Sequence, residues 1–191
     1  MRIAVLASGS GTLLDAILSA ELPVVVTLVD RPCAAQQVSA RHGVECVLVE
    51  RTDFTESFDR DGYTDDVVKA LDAFDLDLIV MAGFGTILGQ PVHDVYPHRI
   101  LNTHPALLPA FPGWHGVRDA LAYGVKVTGC TVHVATLEVD AGPILAQEAV
   151  AVLVDDDEAT LHERIKAVER RLYVDTIRAV VDRPALLTGA G

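Results

Sequence analysis

The chain has 191 residues, half of them hydrophobic, and its 27 acidic against 15 basic side chains give a net charge of −12. This composition supports a hydrophobic core and excludes a wholly disordered chain. The negative charge would repel a polyanion, which disfavours a dedicated DNA- or RNA-binding protein. The length predicts one domain.

The cysteines and the amino terminus indicate a reduced, cytoplasmic protein. Cys33, Cys46 and Cys130 form an odd count without CxxC spacing, so neither disulfides nor a cysteine-based zinc site is expected. The first apolar run is too short for a signal peptide, and no apolar stretch approaches the ~18 residues of a membrane span. The histidines contain no HExxH arrangement, so we predict no metal site.

Apolar runs alternate with amphipathic segments along the first hundred residues. The predicted strands are Arg2–Ala7, Pro23–Val29, Val44–Val49, Asp77–Met81 and Arg99–Thr103. The predicted helices are Thr12–Ala20, Pro32–His42 and Arg60–Phe74, with inward faces at Leu13, Ala16 and Ile17 and at Val67, Val68 and Leu71. Continuously apolar strands are typical of a parallel sheet covered on both faces, so the pattern predicts an α/β fold with right-handed crossovers.

The last third of the chain has a different pattern. The strand-like runs Lys126–Ala135 and Pro143–Val152 are separated by a loop too short for a parallel crossover, so we expect them to pair antiparallel. A long helix from about Glu158 to Val181 follows, and Pro184 ends it. The predicted fold is a mostly parallel sheet with an antiparallel carboxy-terminal strand pair and helices on both faces.

The loop Ser8–Thr12 reads SGSGT and joins the first predicted strand to the first helix. Ligands of open α/β sheets bind at the carboxyl ends of strands, and a helix amino terminus offers free N–H groups to an anion. Leu14 replaces the third glycine of a dinucleotide fingerprint, and no P-loop lysine follows. The loop therefore indicates a single phosphate, with a tight turn that binds no ligand as the alternative.

A proline-rich segment, NTHPALLPAFPG, spans residues 102–113. Asn102 and His104 are two positions apart at the end of a predicted strand, so their side chains point the same way. Together they supply two hydrogen-bond donors, as an oxyanion site requires. The alternative interpretation is a capping asparagine and a packed histidine in a stiff loop.

Asp140 lies in the loop Thr136–Gly142, between the two antiparallel strands. If this loop closes on His104, the carboxylate would favour the charged imidazolium. His133, on the preceding strand, could support Asp140, although a packed histidine is the plainer interpretation. An ordinary turn aspartate is the alternative for Asp140 itself.

Five segments follow one another along the chain: MRIAVLASGSGTLLDAI, VMAGFGTIL, LNTHPALLPAFPG, HGVRDALAYGVKVTGCTVH and EVDAGPILAQ. In these segments the chain resembles the phosphoribosylglycinamide formyltransferases, from about residue 2 to about residue 180. The resemblance implies a single Rossmann-like formyltransferase domain over 1–191, with a phosphate-binding half at about 1–100 and a folate and catalytic half at about 80–181. It implies transfer of a formyl group from 10-formyltetrahydrofolate to glycinamide ribonucleotide in purine biosynthesis, without a metal.

The resemblance also implies roles for individual residues. The catalytic residues would be Asn102, His104 and Asp140. The ribonucleotide would be bound through its phosphate by Gly11, Thr12 and Leu13 and through its ribose by Glu169. The folate would contact Asn102, the segment Gly85, Thr86, Ile87 and Leu88 at its pteridine end, and Arg60 near its glutamate tail. Family members usually have Met and Arg where this chain has Gly85 and Thr86, so a hydrophobic wall and a cation are missing.

Three other functions remain open at this stage. A methionyl-tRNA formyltransferase would carry a basic second domain, which the net charge and the end of the chain at Gly191 disfavour. A formyltetrahydrofolate hydrolase would have a regulatory domain before the first strand. A non-catalytic nucleotide-binding module would need neither Asn102 nor Asp140. The partners are expected to be small molecules, with no nucleic acid and no membrane, and a homodimer is one alternative for the oligomeric state.

Overall fold

The computed structural model describes residues 1–188, which contain seven strands and six α-helices. The strands are β1 (Ile3–Ala7), β2 (Val24–Val29), β3 (Glu45–Leu48), β4 (Leu78–Met81), β5 (Ile100–His104), β6 (Val127–Val134) and β7 (Ile144–Ala151). The helices are α1 (Thr12–Ser19), α2 (Ala34–Arg41), α3 (Arg60–Asp72), α4 (Gln90–Val95), α5 (Gly116–Tyr123) and α6 (Glu158–Asp182), followed by a 3₁₀ helix at Pro184–Thr188.

The strands form one sheet in the order β3-β2-β1-β4-β5-β6-β7. The pairs β1–β2, β1–β4, β2–β3 and β4–β5 are parallel, whereas β6 and β7 are antiparallel. All five residues of β1 are buried, as a strand covered on both faces requires. The predicted fold class, mostly parallel with an antiparallel carboxy-terminal pair, is therefore confirmed.

The chain divides into two compact units, Met1–Leu101 and a second unit that begins at Asn102. The predicted catalytic residues all lie in the second unit. The predicted phosphate loop and the segment Gly85–Leu88 lie in the first. That the two units form a single domain stays a prediction.

In the first unit, two predicted helix faces are slightly rotated. Helix α1 buries Leu13, Leu14, Ile17 and Leu18, while Ala16 is only half-buried. Helix α3 buries Tyr63, Val67 and Leu71, which follow a four-residue spacing, together with Thr64, and Val68 is half-buried at the flank. The predictions for Ala16 and Val68 were therefore wrong, because an apolar side chain beside the buried stripe looks the same in sequence as one within it.

Gly11 shows why the first loop needs a glycine. Its φ is +74°, a left-handed conformation, and it precedes the first residue of α1. A Cβ at this position would lie 2.9 Å from both the Ala35 Cα and the Val38 Cγ2 of α2. Only glycine combines that backbone conformation with such a close approach.

In the second unit, β6, β7, α5 and α6 enclose a small core of apolar side chains, which includes Val117, Cys130, Val150, Leu161 and Ile165. Helix α6 begins with a capping box, in which Asp157 accepts from the Thr160 N–H at 2.8 Å and the Thr160 hydroxyl is hydrogen-bonded by the Asp157 N–H. The helix ends at Asp182, as predicted from Pro184.

Two helices, α4 and α5, were not predicted from the sequence. Helix α4 has six residues, too few to show a repeating apolar face. Helix α5 buries Gly116, Val117 and Ala120, two of which are too small to register as an apolar stripe. The bounds of the predicted strands and helices differ from the observed ones by one or two residues.

Candidate active site

The tip of β5 positions two of the predicted catalytic side chains. Asn102 and His104 alternate with Thr103 at the carboxyl end of this strand. His104 is almost completely buried, with 4% of the residue exposed, and Asn102 is half-buried. Parallel strands present their carboxyl ends to ligands in folds of this class, so these side chains lie where chemistry is expected.

Asp140 lies beside His104, as the sequence analysis anticipated. Its Oδ2 is 3.2 Å from the His104 Nδ1, and the two side chains are each 5% exposed. The Gly113 N–H donates to the same Oδ2 at 2.7 Å. Asp140 has a φ of +58°, which is uncommon for a residue other than glycine, and strained backbone of this kind often occurs at functional sites. The loop thus closes on the imidazole rather than forming an ordinary turn.

Both ring nitrogens of His104 face acceptors. Nδ1 faces the Asp140 carboxylate, and Nε2 is 2.7 Å from the carbonyl oxygen of Phe111. A neutral imidazole has one N–H and can satisfy only one of these acceptors, whereas an imidazolium satisfies both. The geometry therefore favours the charged form of His104, with the Phe111 carbonyl accepting the Nε2 proton.

His133 also belongs to this cluster, although its sequence position favoured a packed histidine. Its Nε2 lies 3.5 Å from the Asp140 Oδ1 and 3.2 Å from the Asn102 Nδ2, while its Nδ1 donates to the Val134 carbonyl at 3.1 Å. The ring thus connects Asn102 with Asp140. The sequence signal for this role was the position of His133 near the end of a strand, and it was too weak to separate the role from simple packing.

The Asp140 carboxyl stays ionised despite its burial. Burial by itself raises the pKa of this group, but the hydrogen bond from His133, the Gly113 N–H and the nearby His104 together lower it below the ordinary value. A buried carboxylate between two imidazoles is an arrangement that holds positive charge and can pass protons. We conclude that this cluster can perform acid–base chemistry and stabilise negative charge.

Glu169, on α6, lies close to the same strand in the second unit. The Thr103 hydroxyl hydrogen-bonds to it, and the Thr103 hydroxyl is also 3.2 Å from the Cys130 Sγ. Burial raises the pKa of the Glu169 carboxyl, and the pKa of the Cys130 thiol is raised by burial to about 12. Glu169 is half-buried, and a carboxylate acceptor in this position can accept hydrogen bonds from ligand hydroxyl groups.

The predicted phosphate loop lies in the first unit, at the start of α1. No side chain caps this helix, so its first N–H groups remain available. Thr12 is exposed, whereas Leu13 is buried and can offer only its backbone. The predicted folate segment Gly85–Leu88 joins β4 to α4, also in the first unit.

The side chains of the segment Gly85–Leu88 differ in exposure. Ile87 is exposed and Leu88 is buried. The hydroxyl of Thr86 is buried and donates to the Asp30 Oδ2 at 2.9 Å, so this side chain is already engaged within the protein. Arg60 is the first residue of α3, and its Cγ lies 3.4 Å from the position that a Cβ on Gly89 would occupy. Arg60 and the segment are therefore close together.

Residues 1–188 contain no group of three or more histidine, cysteine or acidic side chains arranged to hold a metal ion. Over the same residues, no helix is both long enough and apolar enough to cross a membrane.

Comparison with known proteins identifies the family. The family model described as formyl transferase matches residues 1–177. A phosphoribosylglycinamide formyltransferase of Mycobacterium tuberculosis (strain CDC 1551 / Oshkosh) is 48% identical over 193 residues, which cover 98% of this chain and 88% of that protein. The chain belongs to the formyl transferase family. It is therefore a formyltransferase, and the resemblance found in the sequence is confirmed.

Two further relatives of this formyltransferase agree with that assignment. The trifunctional purine biosynthetic protein adenosine-3 of Gallus gallus is 35% identical over 198 residues, which cover 100% of this chain and 19% of that protein. The crystal structure of glycinamide ribonucleotide transformylase 1 from Symbiobacterium toebii superposes with a TM-score of 0.86 at 40% identity, covering 93% of this chain and 86% of that one.

Proposed function

We propose that this formyltransferase transfers the formyl group of 10-formyltetrahydrofolate to the amine of glycinamide ribonucleotide in purine biosynthesis. The products would be formylglycinamide ribonucleotide and tetrahydrofolate. The observation that carries the proposal is the 3.2 Å pair of His104 and Asp140 beside Asn102. Membership of the formyl transferase family and the names of its close relatives support the choice of substrates.

In the proposed reaction, the ribonucleotide amine attacks the formyl carbon and a tetrahedral oxyanion forms. The Asn102 amide and the charged His104 would donate hydrogen bonds to this oxygen. Because the Nε2–H of His104 is directed at the Phe111 carbonyl, it must exchange that acceptor for the oxyanion when the substrates bind. A charged donor gains more from the oxyanion than from a neutral carbonyl, which favours the exchange.

Asp140 would maintain the positive charge of His104 and assist proton movement. The attacking amine loses one proton, and the folate nitrogen that leaves the formyl carbon gains one. We propose that the Asp140 carboxylate, through water, relays this proton. No covalent intermediate with the protein is needed, because the two substrates react directly when held side by side.

The remaining residues are proposed to bind the two substrates. The ribonucleotide phosphate would accept from the backbone N–H groups of α1, and the ribose hydroxyls would donate to Glu169. The folate would lie against the segment between β4 and α4, with Arg60 near its carboxylates. The proposed contacts of the ribonucleotide are Gly11, Thr12, Leu13 and Glu169, and those of the folate are Arg60, Gly85, Thr86, Ile87, Leu88 and Asn102.

The test is the absorbance change on mixing the purified protein with 10-formyltetrahydrofolate and glycinamide ribonucleotide. We expect tetrahydrofolate to form only when both substrates are present. Equal rates with and without the ribonucleotide would indicate hydrolysis instead of transfer. Binding of the ribonucleotide without turnover would identify a non-catalytic nucleotide-binding module.

A cytoplasmic location is part of the same proposal. Cys33, Cys46 and Cys130 are all free thiols, which agrees with a reducing compartment. The homodimer stays a prediction.

A further inference from the structure

Glu169 interrupts the apolar stripe of α6. The buried apolar residues of this helix recur every four positions, at Leu161, Ile165, Tyr173 and Ile177. Glu169 occupies the position between Ile165 and Tyr173 in the same series. A carboxylate at such a position costs stability unless it is hydrogen-bonded, and burial raises the pKa of the Glu169 carboxyl. This carboxylate is therefore placed for binding rather than for packing.

Thr103 supplies a hydrogen bond to Glu169 from the middle of the sheet. It alternates with Asn102 and His104 along β5, so its side chain points to the opposite face of the sheet from theirs. The half-buried Thr103 hydroxyl is hydrogen-bonded to the Glu169 carboxylate. One short stretch of strand thus carries the proposed oxyanion donors on one face and supports Glu169 on the other.

The thiol of Cys130, on β6, determines which way the Thr103 hydroxyl points. Its Sγ is completely buried and lies 3.2 Å from the Thr103 Oγ1. Burial raises the pKa of this thiol to about 12, so the thiol keeps its proton and can donate it. A hydroxyl has one proton, and an ionised carboxylate only accepts. The Thr103 proton is therefore directed at Glu169, while the Thr103 oxygen accepts from Cys130.

Most of the acceptor capacity of Glu169 remains for a ligand. A carboxylate has two oxygens and about four lone-pair sites, and the Thr103 hydroxyl occupies one of them. The nearby cations Lys166 and Arg171 form their ion pairs with Glu163 and Glu148. A half-buried carboxylate oriented by an internal donor can accept from two neighbouring hydroxyl groups of one ligand.

We propose that Thr103 is a positioning residue, which orients the Glu169 carboxylate toward both ribose hydroxyls of the ribonucleotide and makes this enzyme select substrates that carry them. The inference rests on the proposed function, in which Glu169 binds the ribose. A site built to accept hydrogen bonds from hydroxyl groups rejects an analogue without them, because its acceptor is left unpaired. A contact that only stabilised the fold would weaken the binding of both ligands equally.

The test compares two substrates in steady-state kinetics. KM is measured for glycinamide ribonucleotide and for its 2′,3′-dideoxy analogue, at saturating 10-formyltetrahydrofolate. We expect the KM of the wild type to be about tenfold lower for the ribonucleotide. Thr103→Val keeps the branched shape without the hydroxyl, so it should lose most of this preference through a higher KM for the ribonucleotide. Its kcat should change little, because the side chain points away from Asn102 and His104. Thr103→Ser keeps the hydroxyl and should retain the preference.

Thr128→Val is the matched control. The Thr128 hydroxyl, on β6, is also buried, and within residues 1–188 it has no hydrogen-bond partner. This variant removes the same group from the same unit and should keep both KM values. Circular dichroism checks the fold of every variant.

A double-mutant cycle tests whether Thr103 acts through Glu169. Glu169→Ala should raise the KM for the ribonucleotide, and adding Thr103→Val to it should change that KM by less than about twofold. Calorimetric titration with the ribonucleotide and with its dideoxy analogue, without folate, measures binding in the absence of turnover. We expect the same loss of preference in Thr103→Val by this measurement.

Three results would overturn the assignment. They are an equal rise in KM for both substrates in Thr103→Val, loss of the preference in Thr103→Ser, and effects of Thr103→Val and Glu169→Ala that add in full. A wild type that binds both ligands equally would remove the proposed ribose contact of Glu169 and the role of Thr103 with it. Absence of formyl transfer by the wild type would instead contradict the proposed function, while the calorimetric comparison would still decide the role of Thr103.

Discussion

Asp140 determines the charge state of the candidate active site. Its carboxylate accepts from the Gly113 N–H and lies between the rings of His104 and His133. Because these contacts outweigh the effect of burial, its pKa is below the ordinary value. A lowered carboxyl pKa contributes stability that is present above the unfolded-state pKa of about 3.9 and is lost as pH falls through the lower folded value.

Replacement of Asp140 by asparagine tests this charge coupling. We expect Asp140→Asn to lower kcat at least tenfold, because a neutral amide cannot stabilise positive charge on the His104 ring beside it or accept the proton to be relayed. The variant should also lose less stability than the wild type when the pH is lowered from 5 to 3, as measured by urea unfolding. An unchanged kcat would contradict a role for the Asp140 charge in the reaction.

The donors on β5 are tested by truncation. We expect Asn102→Ala and His104→Ala each to reduce kcat by about 10²–10³, the usual effect of removing one oxyanion donor. The fold should persist, because Asp140 retains His133 and the Gly113 N–H as partners. Single-turnover kinetics measures the loss of the chemical rate, and circular dichroism measures whether the fold persists. Near-normal turnover of His104→Ala would remove this residue from the mechanism.

At the scale of secondary structure, the first residue of α5 packs against the His104 ring. Gly116, its first residue, is buried, and a Cβ there would lie 2.8 Å from the His104 Nε2 and 3.1 Å from the Phe111 oxygen. The start of this helix therefore limits where the imidazole can lie. The apolar face of α5 contributes Val117 to the core shared with α6, which holds the helix in position.

Gly116→Ala separates activity from helix stability. Alanine favours helical backbone by up to about 1 kcal/mol relative to glycine, but its methyl group would displace the His104 ring. We therefore expect kcat to fall at least tenfold while the helical circular dichroism signal is retained. Ala122→Ser, on the exposed side of the same helix, is the matched control and should be active. Full activity of Gly116→Ala would show that the ring position is not critical.

At the scale of the whole molecule, the net charge of −12 bears on the choice of substrate. Long-range repulsion disfavours large polyanions, whereas a small anion responds to local N–H groups and guanidiniums. This distinction separates a ribonucleotide acceptor from a tRNA acceptor.

We predict that the protein neither formylates methionyl-tRNA nor binds tRNA in a gel-shift assay at ~50 mM salt. A polyanion of that size would be repelled by the acidic surface. The positive control is formyl transfer to glycinamide ribonucleotide in the same buffer. Formation of formylmethionyl-tRNA would contradict the proposed acceptor.

The alternating apolar and amphipathic segments were sufficient to predict the α/β sheet, its parallel strands and the antiparallel pair. These features depend on contacts that are local or repeat at a regular spacing. Helices α4 and α5 were missed because one is too short and the other buries small residues. The motif around Asn102 and His104 also predicted the candidate site, since two side chains at alternate positions of one strand must lie side by side.

The amino-acid sequence by itself thus determined the fold class, through its periodicity, and the family, through the resemblance of five segments. The catalytic roles of Asn102, His104 and Asp140 stay predictions that the resemblance implies. The tertiary structure alone decided that Asp140 meets His104, that His133 joins Asn102 to Asp140, and that Arg31 occupies the space beside Gly85. Except for His133 and Asp140, which are 7 positions apart, these contacts join residues 31 to 54 positions apart, and loop closure over such distances follows from packing rather than from any local pattern.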